Sequence, residues 1–189
     1  MATSTDTILK NVARILGDET NEHWPAGALM DLLNAAQNQV CIDVAHANVV
    51  TASTATVAGA RQSLPTGGIR LLSIDGLREV SKEALDRESP SWITSVSQSG
   101  TLTMWMHDPH TATEYLVYPP SDGASPQILE YAAVVADVSL GDDLALADKF
   151  APAVTDYMLY RAFSEDTDLK DPIRAEHFLG EYTKHASTA

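Results

Sequence analysis

Apolar residues recur at helical spacing at both ends of the chain. Ile8, Val12, Ile15 and Leu16 follow such a period and predict a first helix from Thr5 to Leu16. Gly17 directly follows and is a favoured helix terminator. A second helix is expected to open at Pro25 and to extend to about Ala47. Its predicted buried stripe consists of Leu29, Leu32, Leu33, Ala36 and Val40.

The helical period returns after Asp148. The stretch from Phe150 to Phe163 carries apolar and aromatic residues over a face broad enough to be covered on two sides. The pair Asp171-Pro172 is typical of a helix start and predicts a last helix. The buried stripe of this helix is expected to contain Ala175, Phe178, Leu179 and Tyr182.

Between these helical stretches the hydrophobic period changes to two. Strands are predicted at 51–57, 69–74, 101–106, 114–118 and 128–135, with one short helix from Lys82 to Glu88. Pro119-Pro120 is expected to stop the fourth of these strands. Turn residues between the strands favour a small antiparallel sandwich or barrel.

These elements together predict an α+β fold. The expected architecture is a four-helix bundle whose middle connection carries an inserted small antiparallel β-sandwich or barrel module. Residues 1–48 and 137–189 would form the helical bundle, and residues 49–136 the β-rich insertion.

Charge changes this picture more than composition does. The 189 residues include 26 acidic and 12 basic side chains, a formal net charge of −14. Such a surface repels phosphates, because nucleic-acid affinity comes from Lys and Arg. Tight DNA binding is therefore not expected, whereas an acidic channel wall would let DNA slide past. No apolar run is long enough to cross a bilayer, and the lone cysteine, Cys41, is expected to be a small buried residue.

The search for catalytic chemistry finds no convincing constellation. The chain has no glycine-rich phosphate loop and no Gly-x-Ser-x-Gly elbow. His107, Asp108 and His110 have a spacing that metal ligands use, but an exposed turn is the favoured interpretation. The run Asp166-Thr167-Asp168-x-x-Asp171 fails the calcium-loop pattern and is interpreted as a polar turn. We therefore expect no enzymatic activity, no metal and no cofactor.

An ordered series of short motifs resembles the head-to-tail adaptor proteins of tailed bacteriophages, also called connector or head-completion proteins. The series begins with Trp24 followed by the 32–37 stretch LLNAAQ, and continues with QSLP at 62–65 and IRLLSI at 69–74. YLVYPP at 115–120 and DYMLYRAFSED at 156–166 complete it. Together the motifs span most of residues 20–182.

The resemblance implies a structural virion protein of the neck, assembled in the host cytoplasm. It implies a homo-oligomeric ring, usually of twelve subunits, that docks beneath the portal protein and above a downstream neck or tail protein. DNA would pass through the lumen without specific binding, and no membrane would be involved. The C-terminal segment would reach the portal, and loops of the β module would face tail components.

Candidate contact residues follow from the apolar helices. The subunit interface is expected to use Phe150, Val154, Tyr157, Tyr160 and Phe163. Contact with the portal is expected from Phe178, Leu179 and Tyr182.

Three alternatives remain open at this point. Another neck or tail-completion protein is the first alternative, because such proteins build rings of similar size. A carbohydrate- or peptide-binding β module would use Trp92, Trp105 and Tyr115 as its platform. A metal-dependent hydrolase would use His107, Asp108 and His110.

Overall fold

A computed structural model describes residues 3–94, 101–123, 126–165 and 170–188. The chain divides into two compact units. The helical unit comprises residues 1–47 and 134–189, and the β unit comprises residues 48–133.

Four helices belong to the helical unit: α1 (Thr5–Leu16), α2 (Ala26–Asp43), α4 (Ala151–Ser164) and α5 (Pro172–Thr188). The bounds predicted for α1 are confirmed, and Gly17 ends this helix in the left-handed conformation at φ 74°. Helix α2 ends earlier than predicted, because Val44 is already extended. A short 3-10 turn, Asp148–Phe150, leads into α4.

The prediction of a four-helix bundle is wrong. The described residues form five α-helices and two sheets with seven strands, a mixed α+β fold. Within the helical unit, α4 packs against α1, α2 and α5, whereas α1 and α2 share only a small contact. In a four-helix bundle the helices enclose one common core. Here α4 is the central helix, and α1, α2 and α5 each pack against it.

A segment of irregular backbone, residues 134–147, runs against α2 and the start of α1. We call this segment the strap. Asn34 of α2 binds the strap twice, since its Nδ2 donates to the Val138 carbonyl at 3.2 Å and its Oδ1 accepts from the Val138 N–H at 3.0 Å. The buried Gln37 accepts from the Ala145 N–H at 2.8 Å. Asn34 and Gln37 therefore form hydrogen bonds with backbone groups of the strap that are not paired in a sheet.

The β unit consists of two sheets and a short helix. The strands are β1 (Val49–Ala55), β2 (Ala58–Ser63), β3 (Gly68–Ile74), β4 (Arg78–Glu79), β5 (Met104–His107), β6 (Glu114–Asp122) and β7 (Pro126–Ala133). One sheet has the order β1-β7-β3 and the other the order β2-β6-β5-β4. All pairs are antiparallel except β4 with β5.

The apolar core of the β unit joins both sheets. Trp105, Tyr115 and Val117 from one sheet and Leu71 and Leu129 from the other are buried in a single cluster. A second cluster lies under helix α3 (Lys82–Glu88), whose predicted bounds are confirmed. Ser81 caps this helix by accepting from the Ala84 N–H at 3.2 Å.

The prediction that Pro119-Pro120 stops a strand is wrong, because β6 continues to Asp122. The reason lies in the register. Pairing of β6 with β2 jumps between Leu116 and Ser121, and pairing with β5 ends at Tyr118. The two prolines lie where the ladder is interrupted, so their missing N–H groups cost few hydrogen bonds.

Candidate interaction surfaces

Aromatic side chains join α4 to α5. The rings of Tyr157 on α4 and Tyr182 on α5 lie 5.2 Å apart. Tyr160, also on α4, lies 5.6 Å from Tyr157. Farther along the pair, Phe163 and Phe178 stack at 5.8 Å with an interplanar angle of 6°. Such contacts stabilise helix pairs beyond the area they bury.

Polar contacts fix the C-terminal half of α5. The Tyr182 hydroxyl donates to the Asp43 carboxylate of α2. His185 Nδ1 lies 2.6 Å from Asp156 Oδ2 of α4. Burial raises the pKa of Tyr182, and the hydrogen bond to Asp43 acts in the same direction because it favours the protonated phenol. Burial also raises the pKa of Asp156, although contact with His185 opposes that shift.

The structure separates the predicted subunit-interface residues into two groups. Phe150, Val154 and Phe163 are buried within the helical unit, so these side chains pack within their own chain. Tyr157 and Tyr160 are half-buried and keep part of their rings at the surface. Among the predicted interface residues, these two tyrosines are the ones that retain surface for a contact with another molecule.

The predicted portal-contact residues are similarly divided. Tyr182 is buried and Phe178 is half-buried against Phe163. Leu179 is 39% exposed. Ile173, at the start of α5, is 82% exposed and was not among the predicted contacts. Ile173 is the second residue of α5. The spacing of the predicted apolar stripe begins only at Ala175, so it did not indicate which face of the helix Ile173 occupies.

A groove of about 800 Å³ lies along α1 and α4 in the helical unit. Apolar atoms of Ile8, Ile15 and Leu159 contribute to its lining. The groove carries both signs of charge, from Lys10 and Arg14 and from Asp148 and Asp156. Sequence reasoning missed this groove, because it depends on how two helices distant in sequence meet.

The residues of the carbohydrate-platform alternative do not form a surface. Trp92 and Trp105 are each 2% exposed, and Tyr115 is 1% exposed. Trp92 Nε1 donates to Asp86 at 2.8 Å, and burial raises the pKa of Tyr115 to about 12. Rings that stack sugars need an open face, and these three rings are core.

The residues of the hydrolase alternative are engaged in structural contacts. The buried Asp108 forms an ion pair with Arg61, which also binds Glu114. His107 Nε2 lies 3.7 Å from Glu79, and the His110 N–H donates to Asp108 at 2.8 Å. Within the described ranges, no group of three or more His, Cys, Asp or Glu residues could hold a metal ion.

Three further sequence features have structural positions. Cys41 is buried in α2, and burial raises the pKa of its thiol. Asp171 accepts from the N–H groups of Ile173 and Arg174, each at 3.1 Å, and so caps α5. Asp166 and Asp168 of the calcium-like run lie outside the described residues.

Across the part of the chain that the structure describes, none of the helices has the length and apolarity that crossing a bilayer requires.

Comparison with known families decides the family of the protein. The family model described as SU10 adaptor protein matches residues 3–188, which is nearly the whole chain. The chain belongs to the SU10 adaptor family. This is a family of phage head-to-tail adaptors, as the motif series had indicated. No curated protein matches the sequence.

Membership in the SU10 adaptor family makes the chain a structural protein of a bacteriophage and a component of the virion neck. Adaptors of this family oligomerise and have portal and tail proteins as partners. The surfaces on α4 and α5 are therefore candidates for contacts between proteins rather than for catalysis.

Proposed function

We propose that this adaptor forms a closed ring, of twelve copies as in the family it resembles, between portal and tail. DNA passes through the lumen of the ring during packaging and ejection. The observation that carries the proposal is the family match over residues 3–188. Assembly takes place in the host cytoplasm.

A ring requires each copy to present two different adhesive surfaces, because its interface is heterologous. The helical unit offers the half-buried tyrosines Tyr157 and Tyr160 on one side of α4. It also offers the groove that contains Lys10 and Arg14. These separate surfaces support a head-to-tail contact between copies.

Net charge supports the passage of DNA. A formal charge of −14 per copy gives an assembled ring a strongly negative character. Because screening limits charge effects to about 10 Å at ordinary salt, acids on the channel wall act on DNA and distant ones do not. A negative wall keeps phosphates from adhering.

Negative-stain images of the purified chain, with and without its portal protein, test the ring. Rings seen end-on, alone or only on the portal, would support the proposal and give the copy number. A chain that never co-migrates with its portal in size-exclusion chromatography at physiological salt would contradict it. Co-migration with a tail protein alone would favour another neck or tail-completion ring protein.

We further propose that α5 carries the portal contact and that loops of the β unit face the tail. Leu179 and Ile173 support this assignment, since both are large apolar side chains that α5 leaves exposed.

Leu179→Glu tests the portal contact directly. Leu179 is 39% exposed and otherwise covered by its own chain, so the free energy of unfolding should fall by about 1 kcal/mol and the variant should still fold. Attachment to the portal should weaken at least about tenfold, because a carboxylate would be buried at an apolar contact. Thr113→Glu, an exposed position of the β unit, is the control with the same added charge. Equal portal binding by both variants would contradict the assignment to α5.

A further inference from the structure

Helix α5 has few apolar anchors in its own unit. Of the helix Pro172–Thr188, which the structure describes throughout, only Ala175 and Tyr182 are fully buried. Phe178 adds its stack on Phe163 in the first half of the helix. In the second half Tyr182 is therefore the main anchor, and the position of this half depends on what Tyr182 contacts.

Tyr182 joins three helices. Its ring lies 5.2 Å from that of Tyr157 on α4, and its hydroxyl donates to the carboxylate of Asp43, the last residue of α2. Tyr182 is only 5% exposed, and a buried hydroxyl is costly unless it has an acceptor. The place that Tyr182 takes between the helices is therefore set by the position of the Asp43 carboxylate.

Asp43 is held in place from its own helix. Gln39 lies one turn earlier in α2, and its Nε2 donates to both carboxylate oxygens at 3.1 Å. The acceptor is thus oriented by α2 and not by α5. Three residues after Tyr182, His185 Nδ1 lies 2.6 Å from Asp156 Oδ2 of α4, so a second polar contact follows the first along α5.

The orientation of the exposed side of α5 depends on these contacts. Leu179 precedes Tyr182 by three residues, nearly one helical turn, so a rotation of this half about its axis moves both side chains together. We infer that Tyr182 is a positioning residue, which through Asp43 fixes α5 in the orientation in which Leu179 meets its partner. A helix held in its bound orientation loses less conformational freedom on binding. The inference rests on the proposed portal contact and deepens it, since it gives the buried Tyr182 a role that direct contact does not.

Hydrogen exchange of the full chain tests the fixing of α5 without the portal. Tyr182→Phe keeps the ring but removes the hydroxyl, so the amides of residues 179–188 should exchange about fivefold faster. Asp43→Ala should produce at least a similar rise, and the double variant should show no further rise, because both changes remove the same hydrogen bond. Asp43→Asn keeps an acceptor oxygen and should stay close to the wild type. Rises that add in the double variant, or unchanged exchange in Tyr182→Phe, would overturn the inference.

Binding to the portal tests the consequence. Tyr182→Phe should weaken binding about fivefold, because the helix must be ordered again at the contact. Asp43→Asn removes the charge but keeps the acceptor, and should bind nearly as the wild type does. Normal binding by Tyr182→Phe when Leu179→Glu weakens binding would overturn the inference alone. Normal binding by Leu179→Glu would overturn the portal contact and the inference with it.

Val154→Ala is the control for a general loss of stability. Val154 is 0% exposed, so the substitution leaves a cavity in the helical unit while the Tyr182 hydroxyl keeps its acceptor. The variant should have a lower Tm and yet bind the portal normally below that Tm. Weakening equal to that of Tyr182→Phe would show that stability, and not the orientation of α5, governs binding, and would overturn the positioning role.

Discussion

At the scale of single residues, buried polar side chains organise the connections of the helical unit. Asp18 is only 4% exposed, and its carboxylate accepts from three backbone N–H groups. The donors are Glu22 at 2.9 Å, His23 at 3.0 Å and Trp24 at 2.7 Å. One side chain thus satisfies the backbone of the turn between α1 and α2.

The pKa of Asp18 predicts a specific response to acid. Burial favours the neutral form, but the N–H groups of Trp24, Glu22 and His23 outweigh it and lower the pKa. The unfolded chain therefore binds more protons than the folded chain at pH values just below about 4. The stabilisation is fully present above that pH and is lost as the pH falls through the folded pKa.

Comparison of the wild type with Asp18→Asn checks this response. The wild type should have the higher Tm at neutral pH, because an amide accepts less strongly from N–H groups than a carboxylate does. The difference in Tm should shrink as the pH is lowered toward about 2. Asp31→Asn, an exposed position of α2, should show little difference at any pH. A constant gap for Asp18→Asn would show that its ionisation does not stabilise the fold.

At the scale of elements, the strap decides the architecture of the helical unit. Residues 134–147 contribute neither helix nor strand of their own, apart from an isolated bridge between Ser4 and Asp143. Their backbone is nonetheless bound by Asn34 and Gln37 of α2 and by the start of α1, where the Thr5 N–H donates to the Asp142 carbonyl at 2.9 Å.

Asn34→Ala tests the contribution of the strap. The variant loses both hydrogen bonds to Val138 and should lower the free energy of unfolding by about 1–3 kcal/mol. Urea unfolding at neutral pH measures the change. Asn38→Ala is the matched control, because it lies on the same helix and its Oδ1 has no partner within the described chain. An equally large loss in both variants would mean that truncation of a half-buried side chain on α2, and not the strap, explains the effect.

At the scale of the whole molecule, charge opposes assembly. Copies that carry −14 each must approach closely in a ring, so repulsion offsets part of the contact energy. Screening shortens the reach of this repulsion from about 10 Å at 0.1 M salt to about 3 Å at 1 M.

Self-association should therefore strengthen as salt is raised. Between about 0.1 M and 0.5 M sodium chloride, the association constant should rise several-fold, because screened copies repel less. Sedimentation velocity at fixed protein concentration measures the shift. Weaker association at higher salt would show that ion pairs between copies, such as contacts to Lys10 or Arg14, dominate the interface.

Much of the chain could be predicted from local pattern alone. The bounds of α1 and α3, the capping of α5 by Asp171 and the change of period in the middle were all readable, because each depends on neighbours within a few residues. Helix α2 begins one residue later than predicted, at Ala26, with Pro25 as its N-cap. The family also followed from the order of short motifs, and the match over residues 3–188 confirms it. The net charge needs no structure at all.

Long-range pairing decided the rest. The interruption of the β6 ladder that accommodates Pro119-Pro120, the strap on α2 and the central position of α4 all depend on residues far apart in sequence. Phe150, Val154 and Phe163 were predicted to contact another subunit, but they are buried within their own chain. An apolar helix face has the same sequence pattern whether its own chain or another one covers it. The sequence by itself determined which segments are amphipathic and how they are charged. Only the tertiary structure decided which faces remain uncovered, because burial depends on which elements meet.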